Sequence, residues 1–320
     1  MDDRLITKEH IKIQKGKNFL PSEWFHSSNF SKIQPSKKVV VFDLDETLGS
    51  FADLYILWCG IRQTWYDCDN FYELLELYPE FLRYGILTIL EYLYHCKMKK
   101  TCEKIFVYTN NQCSVTWVKM ICNAIEKRIR NMYPESNTCL FDQYICAFKI
   151  NNKPIEPCRT SHKKRLDDFF RCTMISHKAD ICFIDDVEYP YMKGSMVYYI
   201  CPRAYIHTLN TKTIVKRILS AKWIPSKYSL LHTEDYWRNW FIINKRRMVR
   251  RGNPDITIDL QISKKMIYHL SEFLHYDKRN KQPDSPIKMK NHKLKGSHKK
   301  GQKKKNKSIR QKNHILVSVD

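Results

Sequence analysis

The first candidate for chemistry is a pair of acidic residues that follows a short apolar run. The run Val39–Phe42 leads directly into Asp43, Leu44 and Asp45. Side chains two positions apart on an extended backbone point the same way, so Asp43 and Asp45 can share one crevice. Carboxylates clustered at the end of an apolar strand repel one another unless a cation joins them, and oxygen ligands beside a phosphate suit Mg²⁺. The pair alone predicts either a magnesium site or a polar strand end with two solvated acids.

Two later apolar runs also end in polar residues. The run Ile105–Tyr108 is followed by Thr109 and Asn110, whose hydroxyl and backbone N–H groups suit a phosphate oxygen. A turn or a helix cap is the alternative for these two residues. A third run leads into Asp185 and Asp186, a second acidic pair. Three strand ends that each carry a group needed for phosphoryl chemistry favour a phosphate site over three unrelated turns.

The apolar runs alternate with segments of helical periodicity. Apolar residues recur at helical spacing over Ile86–Tyr94 and over Val118–Met132. A basic stretch, Arg159–Arg165, supplies cations just before another helix-like segment. The alternation predicts an α/β fold with a doubly wound, mainly parallel sheet, in which ligands bind at the carboxyl ends of the strands. The predicted strands are Val39–Phe42, Ile105–Tyr108, Ile181–Ile184 and Met196–Ile200, all short continuous apolar runs.

The sequence divides into four parts by composition. Two helical patterns, Glu234–Arg250 and Leu260–His275, follow the α/β part, with Gly252 and Pro254 between them. The Lys-rich end has almost nothing apolar to bury, so we expect it to be disordered. The predicted parts are a flexible leader (1–37), an α/β domain (38–222), a helical extension (223–276) and the Lys-rich tail (277–320).

Composition and charge favour some classes of protein and exclude others. The net charge is +23, and the segment from Lys278 to Lys312 holds fifteen Lys and Arg against one acid. Such a tail suits a nucleic acid or another polyanion, or a nuclear-targeting signal. No apolar run reaches the roughly 18–20 residues of a membrane helix, and the amino end has no apolar segment of the secretory kind. The twelve cysteines lack CxxC pairs and zinc-finger spacing, so we expect reduced thiols and an intracellular, cytoplasmic or nuclear location.

The ordered set of strand-end motifs resembles a known superfamily. The segment Asp43–Leu48, then Thr109, then a lysine, then Asp185 and Asp186 is similar to the motif order of the haloacid dehalogenase superfamily. Within it, the spelling DLDETL is typical of the FCP/SCP group, phosphatases related to the NLI-interacting factor that act on the carboxyl-terminal domain of RNA polymerase II. The resemblance implies a haloacid-dehalogenase-like fold over 38–222 with a small or absent cap.

The similarity covers somewhat over half of the chain and has departures. It runs from about 38 to 220 and includes Arg83 and Gly85, which resemble the group's arginine-glycine helix. Cellular members usually have Val-His-Ser where this chain has Gly49–Phe51, and small residues where it has Asn110–Asn111. The Lys- and Asn-rich style is similar to copies in large DNA viruses, which would place the protein in the host cell. The departures leave the polymerase substrate less well supported than the chemistry.

The resemblance implies a role for each acidic residue. Asp43 would attack phosphorus to form an aspartyl-phosphate, and Asp45 would protonate the leaving oxygen and then activate water. Mg²⁺ would be held by the Asp43 carboxylate, the Asp45 backbone carbonyl and one carboxylate of the second pair. Asp186 is preferred over Asp185 as that direct ligand, and both stay open.

The resemblance also implies a phosphate site and a charge-compensating lysine. Lys164 is preferred for the lysine because it lies one helical turn before Asp168, and Lys163 is the alternative. A solvated basic loop would give both lysines no role. Thr109 would bind the phosphoryl oxygens, assisted by the backbone N–H of Asn110.

The predicted function is a Mg²⁺-dependent phosphatase acting on phosphomonoesters through an aspartyl-phosphate. A serine/threonine phosphoprotein of the polymerase-tail kind is the expected substrate and partner. One alternative is a nucleic-acid 3′-phosphatase that uses the same carboxylates and the basic surface. The other is a catalytically silent nucleic-acid-binding protein on the same fold, although none of the expected catalytic positions is lost. No membrane partner is expected.

Overall fold

The computed structural model describes residues 6–20, 36–245, 248 and 255–276, which all belong to one compact unit. The predicted disordered tail, 277–320, lies outside the described residues. The strands are β1 (Ile11–Lys15), β2 (Lys38–Phe42), β3 (Lys104–Tyr108), β4 (Gln143–Ile145), β5 (Lys149–Ile150), β6 (Lys153–Pro154), β7 (Asp180–Ile184) and β8 (Val197–Pro202). The helices are α1 (Ala52–Thr64), α2 (Phe71–Leu77), α3 (Ile86–Met98), α4 (Val115–Asn131), α5 (Leu166–Thr173), α6 (Thr211–Leu219), α7 (Glu234–Asn244) and α8 (Ile256–His275).

Six strands form one sheet in the order β1-β8-β7-β2-β3-β4. All neighbouring strands run parallel except β1, which pairs antiparallel with β8. The chain passes from β2 to β3 on one side and later returns to β7 on the other side. The centre of the sheet is therefore a point where the strand order reverses, the position at which open α/β sheets bind ligands. The predicted α/β class and mainly parallel sheet are confirmed.

After its first residue, each of the central strands β2, β3 and β7 is apolar at every position, because both faces of the sheet are covered. In β2, Val40 and Phe42 join the larger core cluster, whereas Val39 and Val41 join a smaller one with Phe169 of α5. These four apolar side chains are at most 1% exposed. Each such buried side chain contributes about 1.5–3 kcal/mol relative to its exposed state. The tightly packed centre gives the strand ends a rigid base.

The predicted flexible leader is wrong for part of its length. Residues Ile11–Lys15 form the edge strand β1, which pairs with β8 from Ile11 opposite Pro202 to Lys15 opposite Tyr198. Ile11 is buried, and Lys15 forms an ion pair with Glu272 of α8. The segment has only two apolar residues in alternation, too weak a pattern to recognise without its partner strand.

The two helices predicted in the extension are present with different bounds. Helix α7 starts at Glu234 as predicted and ends at Asn244, and several residues that follow it lie outside the described part. Helix α8 begins at Ile256, earlier than predicted, because the Asp255 side chain accepts hydrogen bonds from the first backbone N–H groups. Met266 and Leu270 of α8 belong to the same core cluster as Val40. The extension therefore packs on the α/β body.

The expectation that all cysteines are reduced is wrong for one pair. Cys158 and Cys172 form a disulfide that links the segment after β6 to α5, across a sequence separation of 14 residues. The other ten cysteines are free thiols, and most of them are buried. Cysteine spacing alone gave no sign of the pair, because the loop and α5 become neighbours only in the folded chain. Within the part of the chain that the structure describes, no helix is long and apolar enough to span a bilayer.

Candidate active site

Three adjacent strands end at the same edge of the sheet and carry the predicted polar residues there. Phe42 of β2 pairs with Ile184 of β7 and with Val107 of β3. Asp43 and Asp185 therefore leave the sheet side by side, one residue beyond a paired position. The backbone N–H of Asp43 donates to the carbonyl of Ile184 at 2.8 Å, which continues the pairing to the strand end. The sheet register thus brings together two acidic pairs that are 142 residues apart in the chain.

The side chains of Asp43, Asp185 and Asp186 form a compact acidic cluster. One carboxylate oxygen from each lies within 4.8 Å of those of the other two, a spacing that can hold a metal ion. Asp43 is 7% exposed and Asp185 is 1% exposed, so water does not neutralise their mutual repulsion. Burial, with Asp43 as a second cause, raises the pKa of Asp186 to about 6. Three carboxylates this close together, two of them buried, are stable as anions only with cations among them.

Lys164 is the cation that the structure places in this cluster. Its ammonium contacts Asp43 Oδ1 and lies 2.6 Å from Asp185 Oδ2, with the lysine side chain 1% exposed. Burial acts to lower the pKa of Lys164, but the charges of Asp185 and Asp43 outweigh burial and raise it. Lys163, the alternative, is exposed, with its ammonium 6.0 Å from the centre of the Tyr191 ring. The structure thus brings Lys164 and not Lys163 to the acidic cluster.

The loop before α5 holds Lys164 in place through a buried carboxylate. Asp168, which is fully buried, accepts hydrogen bonds from the backbone N–H and the hydroxyl of Thr160 at 3.0 and 2.9 Å. It also pairs with Arg171 at 3.1 Å. Asp168 thus fixes the beginning of the loop at Thr160, and Lys164 lies at the end of the same loop. The spacing of Lys164 and Asp168 matters because Asp168 positions this loop.

Arg159 is a functional candidate that sequence reasoning missed, since it counted there only as one of several cations. The side chain is 2% exposed, and its guanidinium donates to the carbonyls of Thr109, Cys146 and His162 at 2.7–3.1 Å. It also donates to Asn110 Oδ1 at 2.7 Å. Arg159 thereby ties the end of β3 to the loop that carries the lysine. In the sequence, Arg159 is one of several cations in a basic stretch, and nothing there distinguishes it for this role.

Thr109 and Asn110 lie at the end of β3, as predicted. Thr109 is 1% exposed, and its hydroxyl accepts from the backbone N–H of Asn111 at 3.0 Å. The side chain of Asn110 is engaged by Arg159 and donates to the Tyr189 hydroxyl at 3.1 Å. The backbone N–H of Asn110 makes no hydrogen bond to another described residue. This N–H is therefore free to bind an anion at the strand end.

Asp45 lies two residues beyond Asp43 and beside Asn111. Burial raises the pKa of Asp45 to about 7, with the charge of Asp43 adding to the rise and the hydrogen bond from Asn111 opposing it. Asn111 Nδ2 donates to Asp45 Oδ2 at 2.7 Å. A carboxyl that titrates near neutrality can give and take a proton at physiological pH.

Arg83 fixes the turn that follows the first acidic pair. Its guanidinium donates to the backbone carbonyls of Glu46 and Thr47, and Glu46 adopts a left-handed backbone with φ of 56°. Thr47 in turn donates through its hydroxyl to Asp186 Oδ1 at 3.0 Å. The side chain of Arg83 is 1% exposed, so these hydrogen bonds are shielded from water. A left-handed residue held by a buried arginine gives the turn one geometry.

A cleft of about 750 Å³ opens beside Asp45. It lies between α1, the start of α4 and α7, and its described lining includes no lysine, arginine or histidine. The only charged residues of that lining are Asp45 and Glu46. Burial raises the pKa of Glu46 to about 8, and the nearby carboxylates add to the rise. The aromatic residues that line the cleft are Phe51, Tyr55, Trp117 and Trp240.

Comparison with known proteins adds nothing to this geometry. No protein-family model, no curated protein and no solved structure matches the chain. The candidate active site therefore rests on the residues and contacts described above.

Proposed function

We propose that the protein is a Mg²⁺-dependent phosphatase that hydrolyses phosphomonoesters through an aspartyl-phosphate on Asp43. The single observation that carries this proposal is the cluster of Asp43, Asp185 and Asp186 with the buried Lys164 inside it. Carboxylates and one ammonium at the ends of central parallel strands provide a nucleophile, a metal site and a cation for the phosphoryl group. The parallel sheet and this motif order also support our proposal that the fold is of the haloacid dehalogenase type.

The donor set of the cluster fits Mg²⁺, a hard cation that prefers oxygen ligands. Asp43 Oδ2 and Asp186 Oδ2 make no hydrogen bond to another described residue, whereas both oxygens of Asp185 are occupied by Lys164 and by the Val187 backbone N–H. Asp43 and Asp186 are therefore the side chains that we assign to the metal, with the Asp45 backbone carbonyl as a third ligand. When bound, Mg²⁺ neutralises negative charge on the phosphoryl oxygens and on the two carboxylates.

Hydrolysis would proceed in two steps on the residues of the cluster. In the first, an oxygen of Asp43 attacks phosphorus, the ester P–O bond breaks, and Asp45 gives its proton to the leaving oxygen. In the second, Asp45 takes a proton from water, whose oxygen attacks phosphorus and releases the Asp43 carboxylate. The raised pKa of Asp45, about 7, suits a group that must act first as an acid and then as a base.

Charge on the phosphoryl group would be stabilised by Lys164 and by donors at the end of β3. The ammonium of Lys164 contacts the attacking carboxylate and is held rigid by its buried position. The free backbone N–H of Asn110 and the hydroxyl of Thr109 provide further donors at the neighbouring strand end. Donors fixed before the reaction lower the barrier because they need no reorganisation when charge develops.

A serine/threonine phosphoprotein is the substrate that the cleft supports best. The leaving group lies on the side of Asp45, since this residue gives it a proton, and the cleft opens on that side. The described lining carries acidic, amide and aromatic side chains and no cation, which suits a neutral peptide better than a nucleic acid with further phosphates. The 3′-phosphorylated nucleic acid is therefore the competing outcome of the test below.

A substrate panel tests the proposal. Phosphate release is measured on a phosphoserine peptide and on a 3′-phosphorylated oligonucleotide, each with Mg²⁺ and with excess EDTA. We expect turnover of the peptide that disappears in EDTA and returns with Mg²⁺, and little turnover of the oligonucleotide. Faster turnover of the oligonucleotide would replace the substrate assignment, and hydrolysis that persists in EDTA would remove the proposed metal chemistry.

A further inference from the structure

The side chain of Asn111 is held at both ends. Its Nδ2 donates to Asp45 Oδ2 at 2.7 Å, and its Oδ1 accepts from the backbone N–H of Cys113 at 2.8 Å. Its own backbone N–H donates to the Thr109 hydroxyl at 3.0 Å. The residue therefore links the end of β3 to the carboxylate that stands after β2.

These contacts determine which end of the amide faces Asp45. Turning the amide over would set its oxygen against the Asp45 carboxylate and its NH₂ against the Cys113 N–H, two repulsive contacts in place of two hydrogen bonds. The donor end must therefore face Asp45. An amide NH₂ donates only, so the Asp45 oxygen that it contacts, Oδ2, is occupied as an acceptor.

We infer that Asn111 is a positioning residue that occupies Asp45 Oδ2 and thereby keeps the proton of the acid form on Oδ1, directed at the leaving oxygen. The inference rests on the proposed function, because it assigns a task within that reaction. The effect of Asn111 is therefore largest on esters whose leaving oxygen must be protonated, such as phosphoserine and phosphothreonine.

The proton balance gives the inference a specific consequence. When the P–O bond of phosphoserine breaks, its electron pair stays on a strongly basic alkoxide oxygen, which takes the Oδ1 proton from Asp45. The leaving group of 4-nitrophenyl phosphate is a stable phenolate that departs without that proton. Loss of Asn111 should therefore slow alkyl esters far more than this aryl ester.

The test compares kcat/KM, which reports the steps up to loss of the leaving group and not the later hydrolysis of the aspartyl-phosphate that both esters share. It is measured on phosphoserine and on 4-nitrophenyl phosphate, with Mg²⁺, for the unaltered chain and two variants. Asn111→Leu removes both ends of the amide at similar volume. In Asn111→Ser, the hydroxyl can accept a hydrogen bond from the Cys113 backbone N–H in place of the amide oxygen, but the side chain is too short to reach Asp45. For both variants we expect kcat/KM on phosphoserine to fall about 30-fold and kcat/KM on 4-nitrophenyl phosphate to change less than about 3-fold, part of the 10²–10⁴-fold effect of general acid catalysis.

An exposed asparagine away from the cleft provides the matched control. Asn123 lies on α4, and its side chain accepts from the Tyr144 hydroxyl at 3.4 Å. Asn123→Leu makes the same chemical change outside the candidate active site and should keep the wild-type ratio of the two kcat/KM values. A general disturbance of the loop by the Asn111 variants would instead lower both values together.

Each result is decisive for one of the two claims. An equal loss on both esters, or no loss on either, in a folded Asn111→Ser protein would overturn the inference while the proposed function stands. A wild-type protein that hydrolyses neither ester would overturn the proposed function, and the inference with it. A selective loss on phosphoserine in either variant supports both.

Discussion

Replacing Lys164 by methionine removes the cation that holds the acidic cluster together. Methionine keeps most of the length of the side chain, so the change leaves little empty volume and mainly removes the charge. Asp43 and Asp185, both contacted by the ammonium, then face each other in a site where Asp185 is 1% exposed. We expect both stability and activity to fall, because the same ammonium serves both.

The size of the stability loss follows from burial and from pH. Removing one partner of a buried ion pair costs roughly 3–5 kcal/mol. The loss has an upper limit, because one of the carboxylates left without the ammonium can take up a proton and so lose its charge. Protonating it costs about 1.4 kcal/mol for each pH unit above its ordinary pKa of about 3.9. That limit is about 5–6 kcal/mol at pH 8 and about 1.5 kcal/mol at pH 5. We therefore expect Lys164→Met to lower the free energy of unfolding by about 3–5 kcal/mol at pH 8 and by less than about 2 kcal/mol at pH 5.

Urea unfolding in EDTA at the two pH values measures this difference without a bound metal ion. Lys163→Met is the matched control, because Lys163 is adjacent in sequence and exposed. It should change stability by less than about 0.5 kcal/mol at either pH. In Mg²⁺, Lys164→Met should also lower kcat by about 10²–10³-fold, the effect of losing one fixed electrostatic donor, whereas Lys163→Met should stay within about 3-fold.

Equal stability of the two variants at pH 8 would contradict this prediction. If Lys164→Met unfolds at the same urea concentration as Lys163→Met at pH 8, the ammonium does not offset the repulsion of buried carboxylates. A loss of stability that is larger at pH 5 than at pH 8 would show that the carboxylates are not the groups left unpaired.

Three further predictions concern the metal, the disulfide and the tail. Because the pKa values of Asp45 and Asp186 are raised to about 7 and about 6, the contribution of these two carboxyls to the stability of the metal-free protein is full below about pH 4 and is lost as pH rises to 7. Mg²⁺ should therefore raise the thermal unfolding midpoint more at pH 8 than at pH 5, and an equal rise would contradict this. Replacing Cys158 and Cys172 by serine should lower the free energy of unfolding by about 2–3 kcal/mol, measured in urea, since the bond closes a loop of 14 residues; no change without reductant would contradict this. Truncation after Tyr276 should leave kcat on a small phosphate ester within about 2-fold. It should weaken binding to RNA or DNA and make that binding less dependent on salt; unchanged nucleic-acid binding would refute the tail's role.

The central sheet and the acidic cluster could be predicted from the sequence because their signals are local. A parallel strand buried on both faces is apolar at every position, and the run Val39–Phe42 shows this without reference to its neighbours. The carboxyl ends of such strands meet at one edge, so Asp43 and Asp185 could be placed together from the strand assignments alone. The expectation of a lysine came from the family resemblance, and Lys164 was preferred over Lys163 for its spacing of one helical turn before Asp168.

The remaining features depend on contacts between distant segments. The edge strand β1 acquires its pattern only beside β8, to which it pairs antiparallel. Arg159 donates hydrogen bonds to backbone carbonyls. Every residue type has such a carbonyl, so the sequence does not reveal the partners of Arg159. Asn111 was visible only as a departure from the family that the motifs resemble, and its task became clear from the hydrogen bond to Asp45.

Acid-quenched single-turnover mass spectrometry tests the central claim most directly. The full-length protein is mixed with excess phosphoserine peptide and Mg²⁺, quenched within one turnover, digested, and the peptide that contains Asp43 is sequenced. We predict one phosphoryl group on the Asp43 carboxylate, absent in EDTA and absent in Asp43→Asn. Rapid phosphate release with no phosphoryl group on Asp43, or undiminished release by a folded Asp43→Asn protein, would contradict the account.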